Sequence, residues 1–228
     1  MQPMTGRASC GSDVERRASR WAALAALALL AACGTTEFES QPAIPAPLVE
    51  KIPVVVGVHI PAEFRERVHR EKRNGASFAI SLGAGQAAGF ERLLEAMFIR
   101  TVPVPAADAG ARTDPAIRGV LEPVLEEFAF ITPAEAGSNL YAVSLKYRIN
   151  GYSPTGELLE SWEFTGYGTH TAGALGTKAK EALQQATSLA MRDAAAKLAT
   201  ELRDQAVIRG LLPGEAAQTP VEVVPPGP

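Results

Sequence analysis

The segment 140–168 constrains the fold more than any other, because its first ten residues alternate in the way typical of a half-buried strand. Residues 140–149 read LYAVSLKYRI. Every second residue lies on one face of a strand, and the residues of one face here are all large and apolar: Tyr141, Val143, Leu145, Tyr147 and Ile149. The opposite face carries Ser144, Lys146 and Arg148. Residues 150–156 (NGYSPTG) have turn chemistry, and residues 157–168 supply a return strand. The pattern predicts an antiparallel hairpin with one buried face and one solvated face.

Other segments predict further strands. Residues 54–60 (VVVGVHI) form a β-branched run between two prolines, which is typical of a buried strand. Residues 77–82 alternate behind an Asn-Gly turn, and residues 101–104 form a short strand. Residues 117–131 also alternate, with Pro123 predicting a sheet edge or a bulge. The charged residues 62–73 fit either a solvated turn of helix or an edge strand.

Two segments have helical periodicity. Residues 87–98 (AAGFERLLEAMF) place an apolar stripe at i, i+3, i+4, i+7 and i+8, which predicts a core helix. Residues 177–208 are rich in alanine and predict the longest helix, which Gly210 and Pro213 would end. The order of these elements predicts an α+β two-layer sandwich: a mostly antiparallel sheet of about four to six strands, with two helices packed on one face.

Residues 83–88 (GAGQAA) match the G-x-G-x-x-A dinucleotide fingerprint between a strand and a helix. The ribose-binding acid expected about 20 residues on is missing there, because residues 101–105 read TVPVP and Asp108 follows in a loop. Small residues also occur where a helix packs closely on a sheet. We therefore expect no cofactor.

The sequence contains no recognisable catalytic or metal-binding constellation. Its histidines are far apart in the chain and lack ligand spacing: His59, His69 and His170. No G-x-S-x-G motif occurs. The pairs Glu126–Glu127 and Glu157–Glu160 fit exposed strand faces better than glycan hydrolysis. We expect no catalytic residue, no metal site and no enzyme activity.

Residues 16–34 (RRASRWAALAALALLAACG) have the layout of a secretory signal, with arginines before an uncharged apolar run. That run is 12 residues long, whereas a membrane-spanning helix needs roughly 17–25. The paired arginines lack the apolar residues expected soon after a twin-arginine signal, which favours ordinary secretion. The ending Leu-Ala-Ala-Cys resembles a bacterial lipobox, and this resemblance implies cleavage before Cys33 and acylation of its thiol.

This interpretation predicts four parts in the chain: a signal peptide (1–32), the lipidated Cys33 with a proline-rich tether (33–50), a single α+β domain (51–210) and a disordered proline-rich tail (211–228). Residues 33–228 carry 18 Lys and Arg against 23 Asp and Glu with no dense basic run, which excludes a nucleic-acid partner. The two cysteines are Cys10, which would leave with the signal peptide, and Cys33, whose thiol would be acylated, so no disulfide is expected. In the lipoprotein systems that the lipobox resembles, aspartate after the cysteine marks inner-membrane retention; Gly34 therefore favours the outer membrane over the inner.

The lipobox, the 54–60 strand and two helical segments, GFERLLEAMF (89–98) and AMRDAAAKLATEL (190–202), together resemble small bacterial envelope lipoproteins. That group includes lipopolysaccharide-assembly lipoproteins and auxiliary lipoproteins of transport ATPases. The resemblance implies a periplasm-facing, non-enzymatic accessory or assembly factor that docks on an envelope protein machine. The alternative is a binding module for envelope lipid or glycan. For either role, Lys146 and Arg148 on the solvated hairpin face are the candidate ligand or partner residues.

Overall fold

The structure, a computed structural model, describes residues 35–39, 44–173 and 179–211. The strands are β1 (Thr35–Glu39), β2 (Ile52–Val58), β3 (Val68–Arg73), β4 (Ala76–Ser81), β5 (Phe98–Pro103), β6 (Gly119–Ile131), β7 (Leu140–Tyr152) and β8 (Leu158–Thr171). The helices are α1 (Ala62–Arg65), α2 (Gly83–Met97), α3 (Gly110–Thr113), α4 (Pro133–Ala136), α5 (Ala179–Glu201) and α6 (Ala206–Leu211). The predicted signal peptide (1–32), Cys33 and the predicted tail residues 212–228 lie outside the described residues.

The described strands form two sheets, so the α+β class holds but the predicted single sheet is wrong. One sheet has the order β1-β4-β3 and the other the order β5-β2-β6-β7-β8. β2 pairs in parallel with both β5 and β6, whereas β6, β7 and β8 are antiparallel. The parallel pairs arise because long crossovers, one of them through α2, separate β2 from its two neighbours. The five-stranded sheet is therefore mixed.

The predicted hairpin is present as β7 and β8, and it is longer than the sequence pattern indicated. Tyr147 lies opposite Phe164, and Ile149 lies opposite Trp162. The buried face of β7 is the predicted one, and Tyr147 is fully buried. Its ring centroid lies 5.1 Å from that of Phe90 on α2 and 5.7 Å from that of Phe164. This aromatic cluster joins α2 to the sheet.

Both long helices and the three-stranded sheet contribute to one apolar core on the same face of the five-stranded sheet. The predicted stripe of α2 is confirmed as core, with Leu94 at 0% exposure. The helix starts at Gly83, at the first residue of the G-x-G motif. A Cβ atom at Gly83 would collide with the backbone of Arg65 and lie 2.6 Å from the nitrogen of Arg67. This glycine therefore serves close packing between α1 and α2.

The structure decides three further predictions, of which the first is wrong and the other two are made more specific. The predicted helix over residues 177–208 is interrupted after Glu201, and the extended backbone of Gln205 redirects the chain so that Leu202 and Ile208 are both buried. Residues 62–73 form both proposed alternatives in turn, α1 and then β3. Pro123 lies in β6, an inner strand, beyond the last β6 residue paired with β2. The N–H group that proline lacks therefore costs no hydrogen bond to β2. A register shift follows in β6, between Leu125 and Glu127.

The segment predicted as an extended tether contains β1, which pairs in parallel with β4. Phe38 of β1 is buried in the core, whereas Leu48 and Val49 farther along the segment are exposed. Among the described residues, the packed domain therefore includes residues 35–39 and not only residues from 51 onwards. No helix among the described residues is long and apolar enough to cross a membrane.

Candidate functional site

The outer face of the five-stranded sheet, opposite α2 and α5, brings the two predicted site residues together. Lys146 and Arg148 are two residues apart on β7, so their side chains share this face. The ammonium of Lys146 lies 2.9 Å from Glu126 Oε2 and 2.7 Å from Glu163 Oε2. Arg148 Nε lies 3.0 Å from Glu126 Oε1. We call these four residues the ion-pair cluster.

The ion-pair cluster is electrically balanced, with two positive and two negative side chains. A hydrogen bond to Glu163 and a smaller contribution from the hydrogen bond to Glu126 raise the pKa of Lys146 to about 12. The Lys146 ammonium in turn lowers the pKa of Glu163 below its usual range. Both groups therefore stay charged at neutral pH. An anionic ligand would have to displace carboxylates that already occupy Lys146.

Sequence reasoning assigned Glu126 to an exposed strand face but did not place it beside Lys146 and Arg148, and it did not single out Glu163. Glu163 lies directly opposite Arg148 across the β7–β8 ladder, so knowledge of the register would have identified it. Glu126 reaches this face beside a register shift between Leu125 and Glu127. A β-bulge re-aims side chains in this way, and an alternating pattern does not reveal it.

A second polar group on the outer face surrounds Glu122 of β6. Asn150 Nδ2 donates to Glu122 Oε1 at 3.0 Å, and the Tyr152 hydroxyl donates to the same oxygen at 3.2 Å. Ser161 Oγ donates to Asn150 Oδ1 at 2.8 Å. Partial burial raises the pKa of Tyr152, and the negative charge of Glu122 adds a smaller increase. These bonds fix the Glu122 carboxylate in place.

His59 connects this polar group to a cavity at one end of the sheet. Its Nε2 lies 3.8 Å from Glu122 Oε2, and its Nδ1 lies 3.3 Å from the carbonyl oxygen of Val104. The cavity has a volume of about 600 Å³ and lies at the carboxyl ends of the parallel strands β2 and β5. Its polar lining comes from His59, Thr101, Arg65, Glu91 and Glu95. Arg65 and Glu91 form an ion pair of 2.7 Å across it.

The outer face becomes apolar towards the end of β6. Ile131 is 47% exposed and Tyr167 is 62% exposed. With Ala129 and Ala142 they line a shallow depression of about 240 Å³. We call these four residues the apolar patch. Its side chains were not singled out by the sequence pattern, because isolated apolar residues at strand ends are ordinary there.

The other two histidines, His69 and His170, do not form a site with His59. His69 on β3 lies 3.0 Å from Glu71 on the same strand, and its ring centroid lies 4.8 Å from that of Phe128. His170 is exposed at the end of β8. Within residues 35–39, 44–173 and 179–211, no group of three His, Cys, Asp or Glu side chains is placed to hold a metal ion.

No known family model and no curated protein matches the chain. Among solved structures, it is similar to a Xanthomonas campestris protein of the DUF330 family, with 13% identity, a TM-score of 0.43, and coverage of 73% of this chain and 92% of that one. It is also similar to a minor lipoprotein of Acinetobacter baumannii, with 12% identity, a TM-score of 0.41, and coverage of 69% and 94%. At these identities and TM-scores, the similarities assign neither a family nor a function. The resemblance to lipopolysaccharide-assembly and transport-ATPase auxiliary lipoproteins stays a prediction.

Proposed function

We propose that this protein is a lipid-anchored, periplasm-facing accessory protein that docks on an envelope protein through the outer face of its five-stranded sheet. The Leu-Ala-Ala-Cys sequence supports anchoring through acylated Cys33, and Gly34 favours the outer membrane. The observation that carries the docking role is the ion-pair cluster. Its four charged side chains are partly exposed, yet they already neutralise one another.

A balanced cluster suits a protein partner better than an anion. A free phosphate or carboxylate would find Lys146 occupied at 2.7 and 2.9 Å by two carboxylates. A protein surface with its own alternating charges can instead exchange ion pairs with the cluster, which gives orientation and specificity. The neighbouring apolar patch adds an exposed tyrosine and isoleucine, and aromatic residues are enriched in protein interfaces.

A non-enzymatic role is part of the proposal. The two nitrogens of His59 face Val104 and Glu122, and the hydroxyls of Tyr152 and Ser161 donate to side chains of the same polar group. These contacts are those of a fixed hydrogen-bond network, whereas nucleophilic catalysis pairs a base with a hydroxyl or thiol.

The docking role is tested by Lys146→Glu with Arg148→Glu in cells. With Glu126 and Glu163 unchanged, this double variant places four acidic side chains together, and like charges oppose docking. We expect crosslinking to the envelope partner to fall at least tenfold. The matched control is Arg92→Glu with Lys180→Glu, which makes the same charge change at exposed helix positions away from the outer face.

The control variant should crosslink as the unaltered protein does, and circular dichroism should show that both double variants are folded. Equal crosslinking by the two double variants would contradict docking through this face. Saturable binding of anionic lipid vesicles by the lipid-free domain, lost with Lys146→Glu and Arg148→Glu, would favour the alternative lipid-binding role instead.

The cavity near His59 supports the second candidate, binding of an envelope glycan. Its volume of about 600 Å³ lies in the range of small-molecule sites, and its mixed lining offers donors and acceptors to sugar hydroxyls. Titration with soluble envelope glycan fragments should then give saturable binding that Thr101→Val and Glu95→Ala weaken. No saturable binding of such fragments would remove this candidate.

A further inference from the structure

We propose that one end of the domain lies against the membrane to which Cys33 attaches it, and that Ile131 and Tyr167 contact the lipid headgroup region. We call this the anchor end; it comprises the β3–β4 turn, the β6–β7 connection and the apolar patch. The inference rests on the lipid anchoring proposed above. It adds which surface the membrane covers and which surfaces remain free for a partner.

The first argument is the length of chain between the anchor and the fold. Gly34 alone separates Cys33 from Thr35, the first residue of β1. Two residues of extended chain span at most about 7 Å. The acylated cysteine must therefore lie close to the start of β1, and the domain has no long tether on which to move away from the bilayer.

The second argument is what lies beside Thr35. Thr35 is the register partner of Ser77 on β4, and Ser77 is the partner of Lys72 on β3. This row crosses the sheet next to the β3–β4 turn, and neighbouring strands lie about 4.8 Å apart. The turn at Asn74 and Gly75 is therefore at the same end of the domain as the lipid anchor.

The third argument connects this turn to the apolar patch. Arg73, the last residue of β3, donates from Nη1 to the carbonyl oxygen of Phe130 at 2.6 Å. The same nitrogen donates to the Glu135 carboxylate on α4 at 3.2 Å. These bonds hold the end of β6 beside the β3–β4 turn. Ile131, the residue after Phe130, therefore belongs to the end at which Cys33 is attached.

The side chains of the anchor end suit a headgroup layer. Ile131 is 47% exposed and Tyr167 62% exposed, and tyrosine is enriched where an apolar body and a polar tip meet the membrane interface. The ammonium of Lys197 lies 5.0 Å from the Tyr167 ring centroid. The acids Glu71 and Glu135 both pair with Arg73, which offsets one of their two negative charges near the phosphates.

The opposite end of the domain is then directed into the periplasm. β6 runs 13 residues from Gly119 to Ile131, a span of about 40 Å. Leu211, the last described residue, packs beside Gly119, where an added Cβ would lie 2.9 Å from Leu211 Cδ1. The proline-rich residues 212–228 therefore begin at the end remote from the membrane. The ion-pair cluster lies between the two ends and stays accessible.

The orientation is tested with the lipidated full-length protein in phospholipid vesicles. Ser138→Cys, in the β6–β7 connection, and Ala116→Cys, just before β6, place one exposed thiol at each end. Cys33 is blocked by its lipid thioether and Cys10 leaves with the signal peptide, so the introduced thiol alone takes a fluorescent label. Headgroup-attached nitroxide lipids should quench the Ser138→Cys label at least threefold more strongly than the Ala116→Cys label.

The variant Ile131→Ser with Tyr167→Ser should reduce quenching at the Ser138→Cys label by half or more, because both replaced side chains are exposed and their contacts are with lipid. Equal quenching of the two labels, or stronger quenching at Ala116→Cys, overturns the orientation. Intact mass separates this failure from failure of the proposed function: acylated protein with equal quenching contradicts the orientation alone, whereas an unmodified Cys33 contradicts both.

Discussion

Replacing Gly166 with alanine tests how helix α5 is seated on strand β8. A Cβ atom at Gly166 would lie 2.7 Å from the Cβ and the backbone nitrogen of Ala194, and closer still to the carbonyl oxygen of Ala190. Ordinary contact of a Cβ atom begins at 3.4 Å. The helix must therefore move outward by at least roughly 0.7 Å, the difference between these distances, to accept one methyl group.

An outward shift of this size weakens the whole helix–sheet interface. A gap of 0.5–1 Å forfeits roughly a quarter to a half of the dispersion attraction of each contact. The buried residues that α5 contributes include Leu183, Met191 and Leu198. Overpacking a well-filled core typically costs about 1–3 kcal/mol. Because backbone atoms of α5 are the obstruction and cannot rotate away, we expect a loss of about 3 kcal/mol for Gly166→Ala.

Urea denaturation of the domain, followed by far-UV circular dichroism, measures this loss. The matched control is Gly210→Ala on α6, where an added Cβ meets nothing within 4 Å. Alanine favours helix over glycine, so the control should be neutral or about 0.5–1 kcal/mol more stable. If the free energy of unfolding of Gly166→Ala is within about 0.5 kcal/mol of that of the unaltered protein, then α5 does not lie against β8 as described.

Two further predictions concern buried and paired polar groups. Tyr147→Phe should lower the free energy of unfolding by about 1–2 kcal/mol, because it removes the hydroxyl that donates to the fully buried Gln86 at 3.2 Å. In the same urea titration Gln86→Met should lower it further, because this change also leaves the Phe64 carbonyl without its donor. Arg73 lowers the pKa of Glu71, so this pair stabilises the fold above the ordinary carboxyl pKa and loses that contribution as acid protonates Glu71. Arg73→Gln should therefore cost about 1–2 kcal/mol at pH 7, and its deficit in thermal stability should shrink below about pH 4.

Local periodicity explains which elements could be predicted. The β7 strand alternates as far as Ile149, and up to that residue its buried side chains are those that the alternation selects. The α2 stripe has helical spacing, and Leu93, Leu94 and Met97 are buried. In both cases the pattern lies within a single element, so the sequence carries the information without reference to distant residues. For the G-x-G motif, close packing was expected between a helix and a sheet, whereas Gly83 packs against the backbone of Arg65 and Arg67.

Non-local pairing explains what the sequence did not predict. β1 contains one large apolar residue, Phe38, in a segment followed by prolines, and it becomes a strand by pairing with β4 about 40 residues away. The two-sheet arrangement depends on similar long-range partners. In the candidate site, the position of Lys146 and Arg148 on one face followed from alternation. The carboxylates that neutralise them depend on strand register and on the bulge in β6, which no local pattern encodes.

The central claim, attachment to the membrane through Cys33, is tested most directly by intact-mass analysis of the protein extracted from the membrane fraction. We expect a chain that begins at Cys33 and carries three acyl chains, because a single chain gives only marginal membrane binding. Cys33→Ser should leave the protein unprocessed or release it from the membrane. A mature protein with an unmodified Cys33 thiol, or one that retains residues 1–32, would contradict the account.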